Sequence, residues 1–204
     1  MSDSRSEIFE RIRSALPPES ERPAHPGFQT EDVVSPPRLE GDNLWEIFKR
    51  NFHKVHGRTM EDAGELAEFL KENGHTSGYC DPFWMDRVGS VLAKHGLKVE
   101  TEFDRARYDD YQFGITRATG AIAESGTLIL DDGRTADRLA ALAPWVHVGI
   151  LEKDEIIRTI PDAIERFGNC PNIVWATGPS KTADVEGILI EGVHGPGEEV
   201  ALML

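Results

Sequence analysis

Apolar residues recur at helical spacing along the first half of the chain. Stripes of this kind predict helices over residues 42–56 and 60–72, and Gly74 would end the second of them. Asp81 followed by Pro82 predicts the start of a third helix, which would run to His95. Short strands are expected near residues 75–79 and 99–103, so the first half alternates helices with brief extended segments.

The second half carries its apolar residues in short continuous runs instead. These runs predict strands over residues 113–115, 121–130, 145–151, 173–177 and 199–204. Helical patterns lie between them at 134–142 and 154–167, and residues 182–191 read as an irregular or helical crossover. Strands that alternate with helices predict an α/β fold with a mostly parallel sheet.

The beginning of the chain has a different character. Ile8, Ile12 and Leu16 predict a short amphipathic helix over residues 5–16, and residues 17–37 hold six of the twelve prolines. We therefore expect residues 1–40 to form a helix and a Pro-rich linker arm, and residues 41–204 to form the α/β domain. The arm could pack on its own domain or on a neighbouring copy, so a homo-oligomer is one alternative.

Charge and cysteine content narrow the classes of function. A net charge of −14 over 204 residues argues against a general nucleic-acid or anionic-membrane partner. No apolar run reaches the length of a membrane span, and the charged N-terminus lacks a signal-peptide core, so we expect a cytoplasmic protein without a membrane span. Cys80 and Cys170 lie far apart and outside any ligand spacing, which predicts no iron–sulfur cluster within this chain.

A turn of Gly178, Pro179 and Ser180 follows the predicted strand 173–177. Ser180 and Thr182 could cap a following helix, or offer hydroxyls to a phosphate or carboxylate. Asp184 could steer a sugar, a metal or a basic group, or only complement the helix dipole. Both interpretations stay open, and the functional one makes Gly178, Ser180, Thr182 and Asp184 ligand-binding candidates.

A second candidate segment is Glu124-Ser125-Gly126-Thr127, which interrupts an apolar run. A carboxylate there is expected to be at least partly buried, and a buried carboxylate is paired or has a raised pKa. Glu124 is therefore a candidate catalytic base or nucleophile, with Gly126 and Thr127 as ligand-binding candidates. The alternative is a structural glutamate satisfied by nearby hydroxyls and amides.

The third candidate segment is Gly192–Pro196, in which His194 stands between glycines and could approach a ligand together with Gly195. His147 lies within an apolar run and is predicted to be a satisfied core histidine. The histidines show no metal-ligand spacing, and no glycine-rich nucleotide fingerprint is present. We expect the three segments to converge at the carboxyl ends of the sheet strands and to bind a small anionic ligand.

Three blocks carry a family resemblance: GITRATGAIAESGTLIL, APWVHVGIL and ATGPSKTADVEGILIEGVHGP. In order and spacing they resemble the LUD domain, the family of lactate utilisation protein C. The resemblance implies a three-layer αβα sandwich similar to the NagB/RpiA/CoA-transferase-like group. It also implies an accessory subunit of a bacterial complex that oxidises L-lactate to pyruvate, an electron-transfer complex whose iron–sulfur clusters lie on partner proteins.

A second function stays open beside the first. The chain could be a free-standing enzyme that binds a phosphorylated sugar or an acyl-CoA-type ligand, with Glu124 as base or nucleophile, because the catalytic glutamate of CoA transferases also lies near a glycine turn. Whether the chain is itself catalytic, or only part of an L-lactate-oxidising complex, is not fixed by its motifs.

Overall fold

The computed structural model of this chain describes residues 4–18, 21, 27, 34–135, 137–183 and 187–204. The chain divides into two compact units, Met1–Val33 and Val34–Leu204. Among its described residues the first unit has one α-helix, α1 (Ser4–Ala15), whose apolar side chains Ile8 and Ile12 are exposed. Most of the Pro-rich linker lies outside the described residues, and the domain boundary after residue 40 stays a prediction.

The second unit alternates helices and strands along the chain. Its helices are α2 (Leu44–Lys54), α3 (Ala63–Glu72), α4 (Ser90–Lys94, preceded by a π-turn over Met85–Gly89), α5 (Leu139–Leu142) and α6 (Ile160–Phe167). Its strands are β1 (Arg58–Met60), β2 (Ser77–Cys80), β3 (Lys98–Glu100), β4 (Phe113–Arg117), β5 (Gly120–Ile122), β6 (Thr127–Asp131), β7 (Val146–Leu151), β8 (Ile156–Ile157), β9 (Ile173–Ala176), β10 (Lys181–Ala183), β11 (Leu189–Glu191) and β12 (Glu198–Met203). Short 3₁₀ turns cover Pro36–Leu39, Pro82–Trp84, Arg105–Asp110 and Lys153–Glu155.

A six-stranded sheet forms the centre, in the order β1-β12-β7-β4-β2-β3, and every pairing in it is parallel. Successive side chains of a strand point to opposite faces. Val146, Val148 and Ile150 of β7 face helices α3 and α4, with which they form one apolar core. Burial on both faces explains why β7 is apolar apart from His147, and why β12 is apolar after Glu199.

The opposite face of the central sheet packs on α2 and on a second sheet, ordered β8-β5-β6-β9. Leu151, Ala201 and Met203 of the central sheet meet Phe48 and Phe52 of α2 in this core. The expected α/β fold, a three-layer sandwich with a mostly parallel central sheet, is confirmed.

Several local expectations differ from the structure. Residues 182–191 were expected to be irregular or helical, but β10 and β11 form an antiparallel hairpin. The single strand expected over 121–130 is two antiparallel strands, β5 and β6, joined by a turn over residues 123–126. Gly126 at φ +63° allows the chain to reverse there, which an apolar run alone does not reveal.

No helix in the described part of the chain is long and apolar enough to cross a membrane.

The two cysteines are expected to react very differently with an alkylating reagent. Cys80 is fully buried, and burial, with the nearby Asp81 carboxylate, raises the pKa of its thiol to about 12. Because the thiolate is the reactive form, iodoacetamide should label native protein at the half-buried Cys170 alone, and both cysteines after unfolding. Mass spectrometry of the labelled peptides measures this, and a Cys170→Ser variant should stay unlabelled while folded. Rapid labelling of Cys80 in native protein would contradict the burial described here.

Candidate functional site

Two of the three candidate segments meet in the structure. Ser180 donates its backbone N–H to the Pro196 carbonyl at 2.9 Å, and the Gly192 N–H donates to the Ser180 carbonyl at 2.9 Å. Gly195 packs so closely that a Cβ on it would lie 3.1 Å from the Ser180 Cβ. The loops Gly178–Ser180 and Gly192–Pro196 therefore form one wall. The helix that Ser180 was expected to cap is absent, because the strand β10 begins at Lys181.

This wall encloses a cavity of about 430 Å³. The apolar part of the lining is Leu130, Ala141, Leu142, Val174, Trp175 and Ala176; the two loops and Lys181 form another part. The remaining lining residues are Thr177 and two buried polar residues, His147 and Glu199, which are the second residues of β7 and β12. The cavity thus lies at the amino ends of the central strands, whereas the loops were expected at their carboxyl ends.

A hydrogen-bonded chain of three buried side chains closes the inner end of the cavity. His147 Nδ1 lies 2.6 Å from Glu199 Oε1, and His147 Nε2 lies 2.8 Å from Thr116 Oγ1. All three residues are at most 2% exposed. An ionised carboxylate only accepts, so His147 donates from Nδ1, and a neutral imidazole would then accept the Thr116 hydroxyl at Nε2.

Strand register explains why these side chains meet. Gly114, His147 and Glu199 occupy one row across three adjacent parallel strands, and Thr116 follows Gly114 on the same face. Neighbouring strands lie about 4.8 Å apart, so side chains in one row are in reach of each other. Gly114 leaves room for α5, because a Cβ there would lie 1.8 Å from the Ala140 carbonyl oxygen.

Glu199 is the acid in the described lining of this cavity. Burial raises the pKa of its carboxyl group above the ordinary value, and the neighbouring His147 only partly opposes the rise. Its second oxygen makes no hydrogen bond to any residue that the structure describes, and the residue lines the cavity. A buried acid with a raised pKa at a cavity is typical of a functional group.

The candidate base, Glu124, occupies a different environment. It is buried and accepts backbone N–H groups from both Ser35 and Ile160. It lines neither this cavity nor a neighbouring cavity of about 480 Å³. The Ile160 N–H is one of the amides at the start of α6 that have no hydrogen-bond partner within the helix, and a carboxylate is favourable at that end. The two carboxylate oxygens thus fasten Ser35 and the start of α6 to the β5–β6 turn.

Gly126 and Thr127, which belong to the same candidate segment as Glu124, lie outside the cavity lining. Gly126 packs against the backbone of α2, where a Cβ would lie 2.3 Å from the Phe52 nitrogen. The Thr127 hydroxyl lies 2.8 Å from the hydroxyl of Thr177, which lines the cavity. Thr127 therefore supports the cavity from behind, and the structure places Glu124 and Gly126 away from it.

The remaining candidates divide between the cavity and its surroundings. Position 178 has φ +74° and has no room for a side chain, because a Cβ there would lie 2.1 Å from the Val55 carbonyl oxygen. Glycine is therefore required at this position. His194 is exposed and lines both this cavity and a neighbouring one of about 480 Å³. Thr182 lies on β10 opposite Ile190 and lines neither cavity. Asp184 lies outside the described residues.

Sequence reasoning missed Glu199 and Thr116 and assigned His147 to the core. A usable signal was present: both His147 and Glu199 are polar residues one position inside strongly apolar strands. Their partnership was not visible, because it depends on which strands become neighbours in the sheet.

Comparisons with known proteins agree with this architecture. The LUD domain family profile matches residues 84–204. Lactate utilization protein C of Halalkalibacterium halodurans is 34% identical in an alignment that covers 83% of this chain and 85% of that protein. Lactate utilization protein C of Bacillus subtilis is 33% identical in an alignment that covers 78% of each chain.

A solved structure shares the fold. The crystal structure of a DUF162 family protein from Deinococcus radiodurans superposes with a TM-score of 0.55 at 20% identity, over 78% of this chain and 95% of that one. Because the family profile spans more than half of the sequence and relatives above 30% identity cover most of it, this chain belongs to the LUD domain family.

Proposed function

We propose that this protein acts in bacterial lactate utilization, as a subunit that works with iron–sulfur partner proteins in the oxidation of L-lactate to pyruvate. The observation that carries the proposal is the 34% identity to a lactate utilization protein C over 85% of that protein's length. The cluster-bearing partners come from the resemblance of the three sequence blocks to the family.

We further propose that the cavity beside His147 and Glu199 is the ligand site of this subunit. It is large enough for a small organic acid and has one apolar wall, a buried polar end and a rim with Ser180, Lys181 and His194. The geometry does not favour the alternative, an enzyme with Glu124 as base or nucleophile. Both oxygens of Glu124 already accept backbone amides, and the residue lines neither cavity.

Deletion of the gene from the organism that encodes this chain is expected to abolish growth on L-lactate and to leave growth on pyruvate unchanged. Growth on pyruvate is the control because it bypasses the proposed step. Reintroduction of the full-length chain should restore growth on L-lactate. Normal growth of the deletion strain on L-lactate would contradict the proposed function, provided that no second copy of the gene is present.

The partner proposal has its own measurement. Tagged full-length chain, isolated anaerobically from lactate-grown cells of its own organism, should carry co-purifying iron and the visible absorbance of iron–sulfur clusters. The same chain isolated from an unrelated host should carry neither. Stoichiometric iron in the chain from the unrelated host would show instead that the chain itself holds the metal.

A further inference from the structure

We propose that the His147–Glu199 pair makes ligand binding proton-linked: the cavity takes a small monocarboxylate as its anion together with one proton from solvent, which the pair holds. This inference rests on the proposed ligand site and adds the ligand's charge state and the group that responds to it.

The starting point is the charge of the empty site. With His147 neutral and donating from Nδ1 to an ionised Glu199, the pair carries one negative charge at the buried end of the cavity. Water screens such a charge poorly at a buried position, so it would repel a carboxylate ligand. One added proton makes the pair neutral and removes the repulsion.

The surroundings supply little compensating charge. Among the described residues that line the cavity, Lys181 is the one lysine or arginine, and its ammonium already donates to the Val55 carbonyl at 2.8 Å. That ammonium also lies 3.5 Å from the carboxylate of Glu191. The other titratable group in the lining is His194, on the exposed rim.

The second carboxylate oxygen of Glu199, Oε2, can hold the added proton and donate it in a hydrogen bond to the ligand. Glu199 Oε1 is occupied by His147, so a proton on Oε2 leaves that contact intact. A protonated carboxyl group is a hydrogen-bond donor and can donate to a ligand oxygen. Burial raises the pKa of Glu199, which lowers the cost of protonating it when an anion enters. The proton returns to solvent when the ligand leaves, so charge and atoms balance over the cycle.

Calorimetry of the full-length protein tests the inference. L-lactate is titrated into the protein near neutral pH in phosphate and in Tris, two buffers that differ in ionisation enthalpy. The difference in heat between buffers gives the number of protons exchanged, and we expect uptake of about one proton per bound lactate. The affinity should then weaken by up to about tenfold for each unit of rising pH.

Three variants assign the proton. Glu199→Gln keeps the size of the side chain without its titration, so proton uptake should vanish and binding should lose its pH dependence. His194→Gln should retain the uptake, whatever its affinity for lactate. Glu198→Gln is the matched control: Glu198 precedes Glu199 on β12, pairs loosely with Arg58 and does not line the cavity, so both uptake and affinity should persist.

The wild-type measurement alone can overturn the inference, even if Glu199→Gln does not fold. Binding of L-lactate without proton uptake, or no binding of L-lactate, would contradict it. Uptake that disappears in His194→Gln and persists in Glu199→Gln would assign the proton to the rim and overturn the role of the pair. Absence of lactate binding would also count against the proposed ligand site. None of these results bears on the proposed role in lactate utilization, which fails if the deletion strain grows normally on L-lactate.

Discussion

Gly126→Ala is expected to destabilise the protein by about 2–5 kcal/mol, the sum of a left-handed backbone and a steric clash. Gly126 has φ +63°, where an alanine costs roughly 1–2 kcal/mol. Its Cβ would also lie 2.3 Å from the Phe52 nitrogen and 2.5 Å from the Asn51 carbonyl carbon. These are backbone atoms of α2, so the helix would have to move away from the β5–β6 turn. Urea unfolding followed by circular dichroism measures the change.

Gly74→Ala separates the two contributions. Gly74 has φ +76°, close to that of Gly126, but nothing lies within 4 Å of the position its Cβ would take. The free energy of unfolding of this variant should therefore fall only by the cost of the left-handed backbone, roughly 1–2 kcal/mol. Equal losses of stability in the two variants would show that α2 does not press on the turn at Gly126.

Glu124→Gln is expected to lower the free energy of unfolding by about 1–3 kcal/mol, because one buried amide loses its charged acceptor. The Ser35 and Ile160 N–H groups each donate to one carboxylate oxygen of Glu124. A glutamine has one oxygen and one NH₂, so one of these N–H groups would face another donor. The melting temperature should fall by roughly 2–4 °C for each kcal/mol lost, and growth on L-lactate should persist at a temperature where the variant is folded.

Glu68→Gln provides the control for removal of a charge alone. Glu68 lies on the exposed side of α3, so the same substitution should leave stability within about 0.5 kcal/mol. An unchanged melting temperature for Glu124→Gln, combined with lost growth on L-lactate, would restore Glu124 as the working base. Loss of stability with growth retained would establish its structural role.

The elements that could be predicted from the sequence are those whose burial leaves a local pattern. A helix with one buried face shows helical periodicity, and a strand buried on both faces shows a continuous apolar run. Helix α2 was predictable because its inward side chains, among them Phe48 and Phe52, repeat at helical spacing. Strand β7 was predictable because burial on both faces leaves a continuous apolar run. Both signals lie within about fifteen residues of the chain.

What failed depends on contacts between distant segments. The hairpin β10–β11 carries exposed Leu189 and Ile190, so its apolar residues do not report burial. The loops with Ser180 and His194 meet at the amino ends of the central strands and not at the expected carboxyl ends. Which end they reach depends on how the chain reverses between β9 and β12, and no local sequence pattern encodes that. His147 and Glu199 meet only because β7 and β12 are parallel neighbours in that register.

The position of β12 has a consequence for synthesis of the protein on the ribosome. β12 lies between β1 and β7, and Arg58 of β1 pairs with Val200 of β12. Among the described strands β1 has no other partner, so it must wait for nearly the whole second unit to be translated before it can join the sheet. Until then, one edge of β7 also stays open, and open strand edges favour aggregation. A nascent chain stalled before Glu198 should therefore depend on chaperones far more than the released protein does.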